Sequence, residues 1–226
     1  MYDSTTLFTA GSNSTNGRYM YHSMDATVGQ TTNSLWLYAG TGDYERIADT
    51  SPGIQNLMLG IADPDFPMYK ELNSPTTASD LTKCKNTTDD TTGVNCPVLN
   101  NDIGWYINLP DSQKVTAEPS IANGLSYFPV YRPSTGSNGC SIGDAFICAN
   151  DDECGTNASS SLGTFQDPGD KCLYVGKGVL TKIVFFKDKL FANIAGESNQ
   201  NIKDLVTLDI PAGDITGYRG SWRENF

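Results

Sequence analysis

Apolar residues along the chain come in short runs separated by stretches rich in Thr, Ser, Asn, Asp and Gly. No stretch repeats them at i, i+3, i+4 and i+7 over several turns, so helix content is expected to be low. A first short strand is predicted over 6–10 and a polar loop over 11–17. Four strands then follow in series at 20–26, 35–39, 57–62 and 105–109. Between the last two lies a long polar insertion, residues 64–101. A second series runs 117–122, 125–130, 144–149 and 180–186, and strands at 190–194, 206–210 and 218–223 complete the chain. Asn123 and Gly124 separate the first two strands of that series; because both residues tolerate positive φ, the pair is a strong hairpin signal.

Two consecutive sets of four short strands are what propeller blades look like in sequence, although a β-sandwich would give a similar strand inventory. The fold class read from this pattern is all-β. The chain reads as a single all-β domain over 1–226, with blade-like units at about 18–110 and 114–194 and closing strands over 200–226.

Composition agrees, with 22 Gly and 11 Pro among 226 residues, which is ample length for an independent core. The formal charge of −11 argues against nucleic acid, which demands a dense Lys/Arg face. No apolar run reaches the roughly 18 residues of a helical membrane span. The acidic excess therefore reads as a solvated surface or as attraction for cations and basic partners.

The six cysteines, Cys84, Cys96, Cys140, Cys148, Cys154 and Cys172, contain no C-x-x-C pair and are accompanied by a single histidine. Zinc sites need close Cys/His pairs, so disulfides are the better reading, and with them an oxidising compartment. Six cysteines allow fifteen connectivities; our expectation is Cys84 with Cys96, Cys148 with Cys154 and Cys140 with Cys172. The first residues lack the basic and apolar regions of an export signal. A cysteine framework without such a signal is reconciled if these residues are the C-terminal part of a longer exported protein.

Candidate chemistry is sparse. His22 has only Ser23 beside it, and neighbours on a strand face opposite sides, so a nucleophile–base pair is not expected there. The acidic groups are Asp63 and Asp65, Asp89 and Asp90, and Asp151 to Glu153. None reproduces a calcium loop of the D-x-[DN]-x-[DN]-G kind, and the last is read as a hairpin tip closed by Cys148 and Cys154. Calcium is thus a minor alternative to no cofactor at all. Gly40-Thr41-Gly42 lacks the helix and lysine of a phosphate-binding turn and is read as a tight bend in which glycine takes positive φ. The acids show no aromatic-rich cleft around them that would suit glycoside hydrolysis. Trp36, Trp105 and Trp222 read as sheet-packing residues, with Tyr106 as an outward contact. Asn13, Asn86 and Asn157 head N-x-S/T triplets, which matter only in a eukaryotic secreted context.

Several of these segments, taken in order, resemble one family. Leu35 to Gly40 is followed by Thr41-Gly42-Asp43-Tyr44-Glu45-Arg46, and then by Leu59-Gly60-Ile61-Ala62-Asp63. Next come Gly104-Trp105-Tyr106-Ile107-Asn108-Leu109 and Lys114-Val115-Thr116-Ala117-Glu118-Pro119. Tyr127 to Pro133, Cys140, Gly143 and Ala145 to Gly155 follow, and Ser221-Trp222-Arg223-Glu224 ends the series. This succession resembles the C-terminal β-propeller region of PilY-type type IV pilus biogenesis and pilus-tip adhesin proteins. The resemblance implies a partial propeller made of C-terminal blades with long disulfide-braced insertions. It also implies a non-enzymatic role in pilus assembly, surface adhesion or surface sensing.

The implied partners are the remaining N-terminal part of the propeller or a companion chain, pilin or minor pilins, and a host or abiotic surface ligand. The implied location is the cell surface at the pilus tip, reached through the periplasm. Two rival readings are a quinoprotein-like propeller enzyme, which would need calcium ligands and a cofactor-stacking Trp, and a structural filament or surface subunit.

Overall fold

The computed structural model describes residues 6–63, 65–68, 75–84, 103–110, 112–135, 142–163, 171–196 and 205–211. Strand β1 (Phe8–Thr9) leads into a first sheet whose members are β2 (Asp25–Val28), β3 (Leu35–Gly40) and β4 (Leu57–Asp63). Strand β5 (Thr76–Thr77) pairs with β1 in parallel and runs into a 3-10 turn over Ala78–Asp80. Strands β6 (Thr82–Lys83) and β7 (Gly104–Asn108) complete the first sheet, in the order β2-β3-β4-β7-β6. The expected strand over 20–26 is thus shifted, with pairing starting only at Asp25.

The second sheet has β8 (Lys114–Val115) and β9 (Ser120–Ala122) on one side of β10 (Leu125–Arg132), then β11 (Asp144–Asp151) and β12 (Leu173–Lys177). The Asn123-Gly124 hairpin forms as expected: both residues have positive φ, 54° and 73°, and Ala122 faces Leu125 across the turn. A third sheet holds β13 (Val179–Leu180), β14 (Val184–Phe186), β15 (Lys189–Ala195) and β16 (Leu205–Asp209), with β15 central. Two differences from the sequence reading stand out. Strand β12 was not anticipated, and 180–186, expected as the fourth strand of the second set, is split between β13 and β14 in a separate sheet. The expected strand at 218–223 lies outside the described residues.

Two apolar layers join the three sheets. Trp36, Tyr38, Met58, Trp105 and Ile107 of the first sheet meet Val115, Phe128, Val130, Phe146 and Cys148 of the second. Tyr127, Ala145, Ile147, Ala149 and Leu173, from the other face of the second sheet, meet Leu180, Leu190, Ala192 and Ile194 of the third. Strands β10 and β11 are therefore buried on both faces, which is why they read as continuous apolar runs rather than as alternating ones. The outer face of the first sheet, with Ala39, Leu57, Leu59, Ile61 and Leu81, is covered by Leu7, Phe8 and Ala78 of the chain itself. Nearly all regular structure is β, and no helix among the described residues is long and apolar enough to cross a membrane.

Candidate functional site

The Gly40-Thr41-Gly42 bend ends β3 where β8 crosses it. A Cβ on Gly40 would lie 2.4 Å from Val115 Cγ1, and one on Gly42 would lie 2.8 Å from the Val115 carbonyl oxygen. Neither glycine has positive φ among the backbone conformations of the chain. The expected reason for glycine is thus corrected: these positions need the absence of a side chain, because two strands touch there.

Thr41 then organises the buried junction around them. Its N–H donates to Leu57 O and its carbonyl accepts from Val115 N, while its hydroxyl accepts from Leu57 N and donates to Asn56 Oδ1. Asn56 in turn donates to Gln113 O at 2.8 Å. Asp43 is buried beside them and pairs with Arg46 at 2.5 Å. Burial alone would raise its carboxyl, but the Arg46 contacts outweigh burial and hold it below the ordinary range. Lys114 is buried as well, donating to the carbonyls of Asp49 and Ser112 at 2.8 and 3.1 Å, and burial lowers its ammonium to about 8. Thr41, Asp43, Asn56 and Lys114 are all buried with their polar groups hydrogen-bonded, so the junction is a structural knot.

The acidic turn after β11 is the second junction. Its backbone closes through Gly155 N–H to Asp151 O and Asp151 N–H to Thr156 O, with Cys154 N–H donating to Asp151 Oδ1. Gly155 has φ +72° and lies so near Trp105 that a Cβ would come within 2.6 Å of the indole. The Trp105 indole N–H donates to Asp152 O at 2.9 Å, seating the turn on the first sheet. Glu153 reaches the β2–β3 turn, where its carboxylate accepts from Thr31 N–H at 2.7 Å and Thr32 N–H at 2.8 Å. Burial raises its carboxyl, but these donors prevail and keep it low.

At Asp152 the donors are only the backbone N–H groups of Asp152 and Glu153, and they do not prevail. Burial, followed by repulsion from Asp151 and Glu153, pushes it up to about 6. After burial itself, the same carboxylates push the Tyr38 phenol above its ordinary value. Among the described residues no three His, Cys, Asp or Glu side chains come together as a metal-holding group.

The cysteines depart from the expected pairing. Cys148 is bonded to Cys172, with Cα atoms 4.3 Å apart. The ladder that sets Ile147 against Leu173 brings these two side by side at the root of the 149–171 excursion. Neither Cys148–Cys154 nor Cys140–Cys172 therefore forms. Cys154 is a free thiol beside Thr156 Oγ1 at 3.0 Å, and burial raises it. Hydrogen bonds, and not a disulfide, close the acidic turn. Cys84 is disulfide-bonded, and its sulfur also lies 3.2 Å from the carbonyl oxygen of Cys154. Cys96 and Cys140 lie outside the described residues.

The remaining expected residues fall into structural places. His22 is half-buried, its ring edge-on to Tyr44 at 5.8 Å, and burial lowers its imidazole. Ser23 hydrogen-bonds to Glu118 rather than to His22. Tyr106 is not an outward contact: Trp105 fills the layer between the first two sheets, and Tyr106 packs against the cluster on the opposite face. Asn157 spends its amide on Lys171 O and Ser159 N–H, and Asp63 accepts from Asp65 N–H. Asn86, Asp89 and Asp90 lie outside the described residues.

The sequence reading missed the buried Lys114 amine and the Glu153 clamp, both set by partners distant in the chain. It also missed β12, for which Leu173-Tyr174-Val175 before Gly176 was an available strand signal.

The three larger sheets, antiparallel except for the β6–β7 pair, stack face to face in chain order and define an all-β scaffold of blade-like sheets. No protein family and no curated protein matches the chain in sequence. Among solved structures it is similar to the C-terminal domain of PilY1 from Pseudomonas aeruginosa, with a TM-score of 0.54 and 14% identity. The match covers 86% of this chain and 45% of that one, so the two share a fold over a span that is less than half of the PilY1 domain.

Proposed function

We propose that the chain is the C-terminal part of a non-enzymatic, cell-surface protein of type IV pili, acting in surface adhesion or pilus biogenesis. The observation that carries this is the fold shared with the PilY1 domain, with which the ordered motifs from Leu35 to Gly155 agree. In this reading the stacked sheets are a rigid base. The polar segments 64–101, 131–143 and 150–171 are the contact surfaces, since loops on a rigid scaffold are where binding residues concentrate. Residues 75–84, 131–132, 150–156 and 158–162 depart from that role, because they pair into strands or turns or are buried, as Leu81, Tyr131, Asp152 and Leu162 are.

The mechanism is presentation under load. The Cys148–Cys172 bond shortens the stretch of chain that tension can extract between β11 and β12. The protein would be exported through the periplasm, sit at the pilus tip and need no cofactor. Its partners would be the rest of a propeller, pilin or minor pilins, and a host or abiotic surface.

Disruption of the gene, with piliation and attachment scored against a complemented strain, tests the reading. The expected result is a loss of surface pili or of attachment that the intact gene restores, with antibody to this chain labelling pilus ends. Normal piliation together with normal attachment in the disrupted strain would sink it.

A further inference from the structure

Asn-Gly occurs three times in the chain, at 16–17, 123–124 and 138–139. The pair is chemically labile, because glycine has no side chain to shield its amide nitrogen from closing a five-membered ring on the preceding Asn. The third pair lies outside the described residues, and the other two are held very differently. Asn16 is fixed within its own loop: its Oδ1 accepts from Asn13 N–H at 3.0 Å and Arg18 N–H at 3.1 Å, and its Nδ2 donates to Gly11 O at 2.9 Å. Gly17 beside it is buried, with Ile54 3.2 Å from where a Cβ would stand.

Asn123 is exposed at the tip of the β9–β10 hairpin, and a Cβ on Gly124 would meet nothing within 4 Å. Among the described residues its amide has one partner, Pro211 O, which accepts from Nδ2 at 2.9 Å from 88 residues along the chain. Pro211 lies just beyond β16, where Ile210 is buried in the second layer and donates its N–H to Asp188 O. Gly124 O meanwhile accepts from Asp152 N–H at 3.1 Å, and Asp152 O accepts from the Trp105 indole. One two-residue turn of the second sheet thus fastens the end of the third sheet and, through the acidic turn, the first.

We propose that Asn123 is a site of spontaneous deamidation restrained by the Pro211 contact, and that its product unlatches the end of the third sheet from the hairpin. Attack requires the Gly124 nitrogen to reach the Asn123 side-chain carbon, and an amide pinned to Pro211 lacks the rotation for it. When the end of β16 opens, Gly124 N loses its proton to water and bonds to Asn123 Cγ. The Cγ–Nδ2 bond breaks, and the nitrogen takes up a proton and leaves as ammonia. Water, the only co-reactant, then opens the cyclic imide at one carbonyl or the other, giving isoaspartate or aspartate. Either product sets a carboxylate, which only accepts, where a donor met Pro211 O. Isoaspartate also inserts a backbone carbon into a turn whose positive φ at both positions suits the strand twist, and so displaces Gly124 O from Asp152 N–H. The reaction removes the contact that restrained it, so the opened state is permanent.

Incubation of chain 1–226 in mildly alkaline buffer, with isoaspartate and aspartate located by peptide mapping and isoaspartyl methyltransferase labelling, tests the site. Conversion is expected to be several-fold faster at Asn123 than at Asn16; equal rates would overturn the proposal. Pro211→Gly frees the backbone that fixes the accepting carbonyl. It is expected to speed conversion at Asn123 several-fold and leave Asn16 unchanged, and an unaltered rate at Asn123 would refute the restraint. Asn123→Asp reproduces the charge of the product without waiting for it. Hydrogen exchange over 205–210 is expected to quicken in this variant while exchange over 35–40 stays as it was. Unchanged exchange over 205–210 would overturn the latch.

Discussion

Asp152 is a carboxylate held where water is scarce, with two acidic neighbours and its backbone carbonyl fixed by Trp105. Its folded-state value of about 6 lies above the roughly 3.9 of an unfolded chain. Between those values the folded protein keeps a proton that the unfolded chain releases. Raising the pH through that window therefore destabilises the fold; the penalty is absent below about 4 and complete above about 6. Asp152→Asn is expected to raise stability at pH 7.5 by up to about 3 kcal/mol and to change it little at pH 4. Urea denaturation at both pH values measures this, and an equal effect at the two would refute the burial argument. At the other junction, Gly40→Ala places a methyl group where Val115 already stands, and is expected to cost about 1–3 kcal/mol in the same assay. A substitution there that proved neutral would mean that β8 can move off the bend.

At the scale of elements, the disulfide and the acidic turn make separate contributions. The Cys148–Cys172 bond spans 24 residues of chain, for which loop closure predicts about 3 kcal/mol. Replacing both by Ala should lower unfolding stability by roughly that amount, whereas Cys154→Ala should shift it by less than about 1 kcal/mol. Had Cys148 been bonded to Cys154, the second variant would match the first, so the pair of measurements distinguishes the two connectivities. The central strands β3, β4, β7, β10 and β11 were legible because burial on one or both faces writes itself into an apolar run. Strand β12 was hidden for the opposite reason. Leu173 is its only buried side chain, Gly176 being the other buried residue, and its pairing partner lies across an excursion of more than twenty residues. Missing that strand also cost the disulfide, because the β11–β12 ladder is what sets Cys148 beside Cys172.

For the whole molecule, the second sheet is the shared wall of both layers. Phe128 and Phe146 face one layer while Tyr127 and Ile147 face the other, on the same two strands. Losing either layer exposes one side of β10 and β11, so the layers are expected to unfold together. With Trp222 replaced by Phe, fluorescence from Trp36 and Trp105 reports the first layer, and hydrogen exchange over 189–195 reports the second. Coincident urea transitions are the expected outcome; separate midpoints would show that the third sheet is an independent unit.

By itself the sequence determined an all-β fold, the Asn123-Gly124 hairpin, the principal buried strands and the ordered motifs that point to a PilY-like region. These are local signals: the apolar period, turn chemistry and motif order are carried by residues near one another in the chain. The tertiary structure alone decided which cysteines bond, why Gly40 and Gly42 must lack side chains, and at which carboxylates donors prevail and at which burial does. It also decided that the strands after residue 178 form a third sheet of their own. Each of these depends on residues brought together from far apart in the chain, and such distances are fixed only when strands pair and sheets stack.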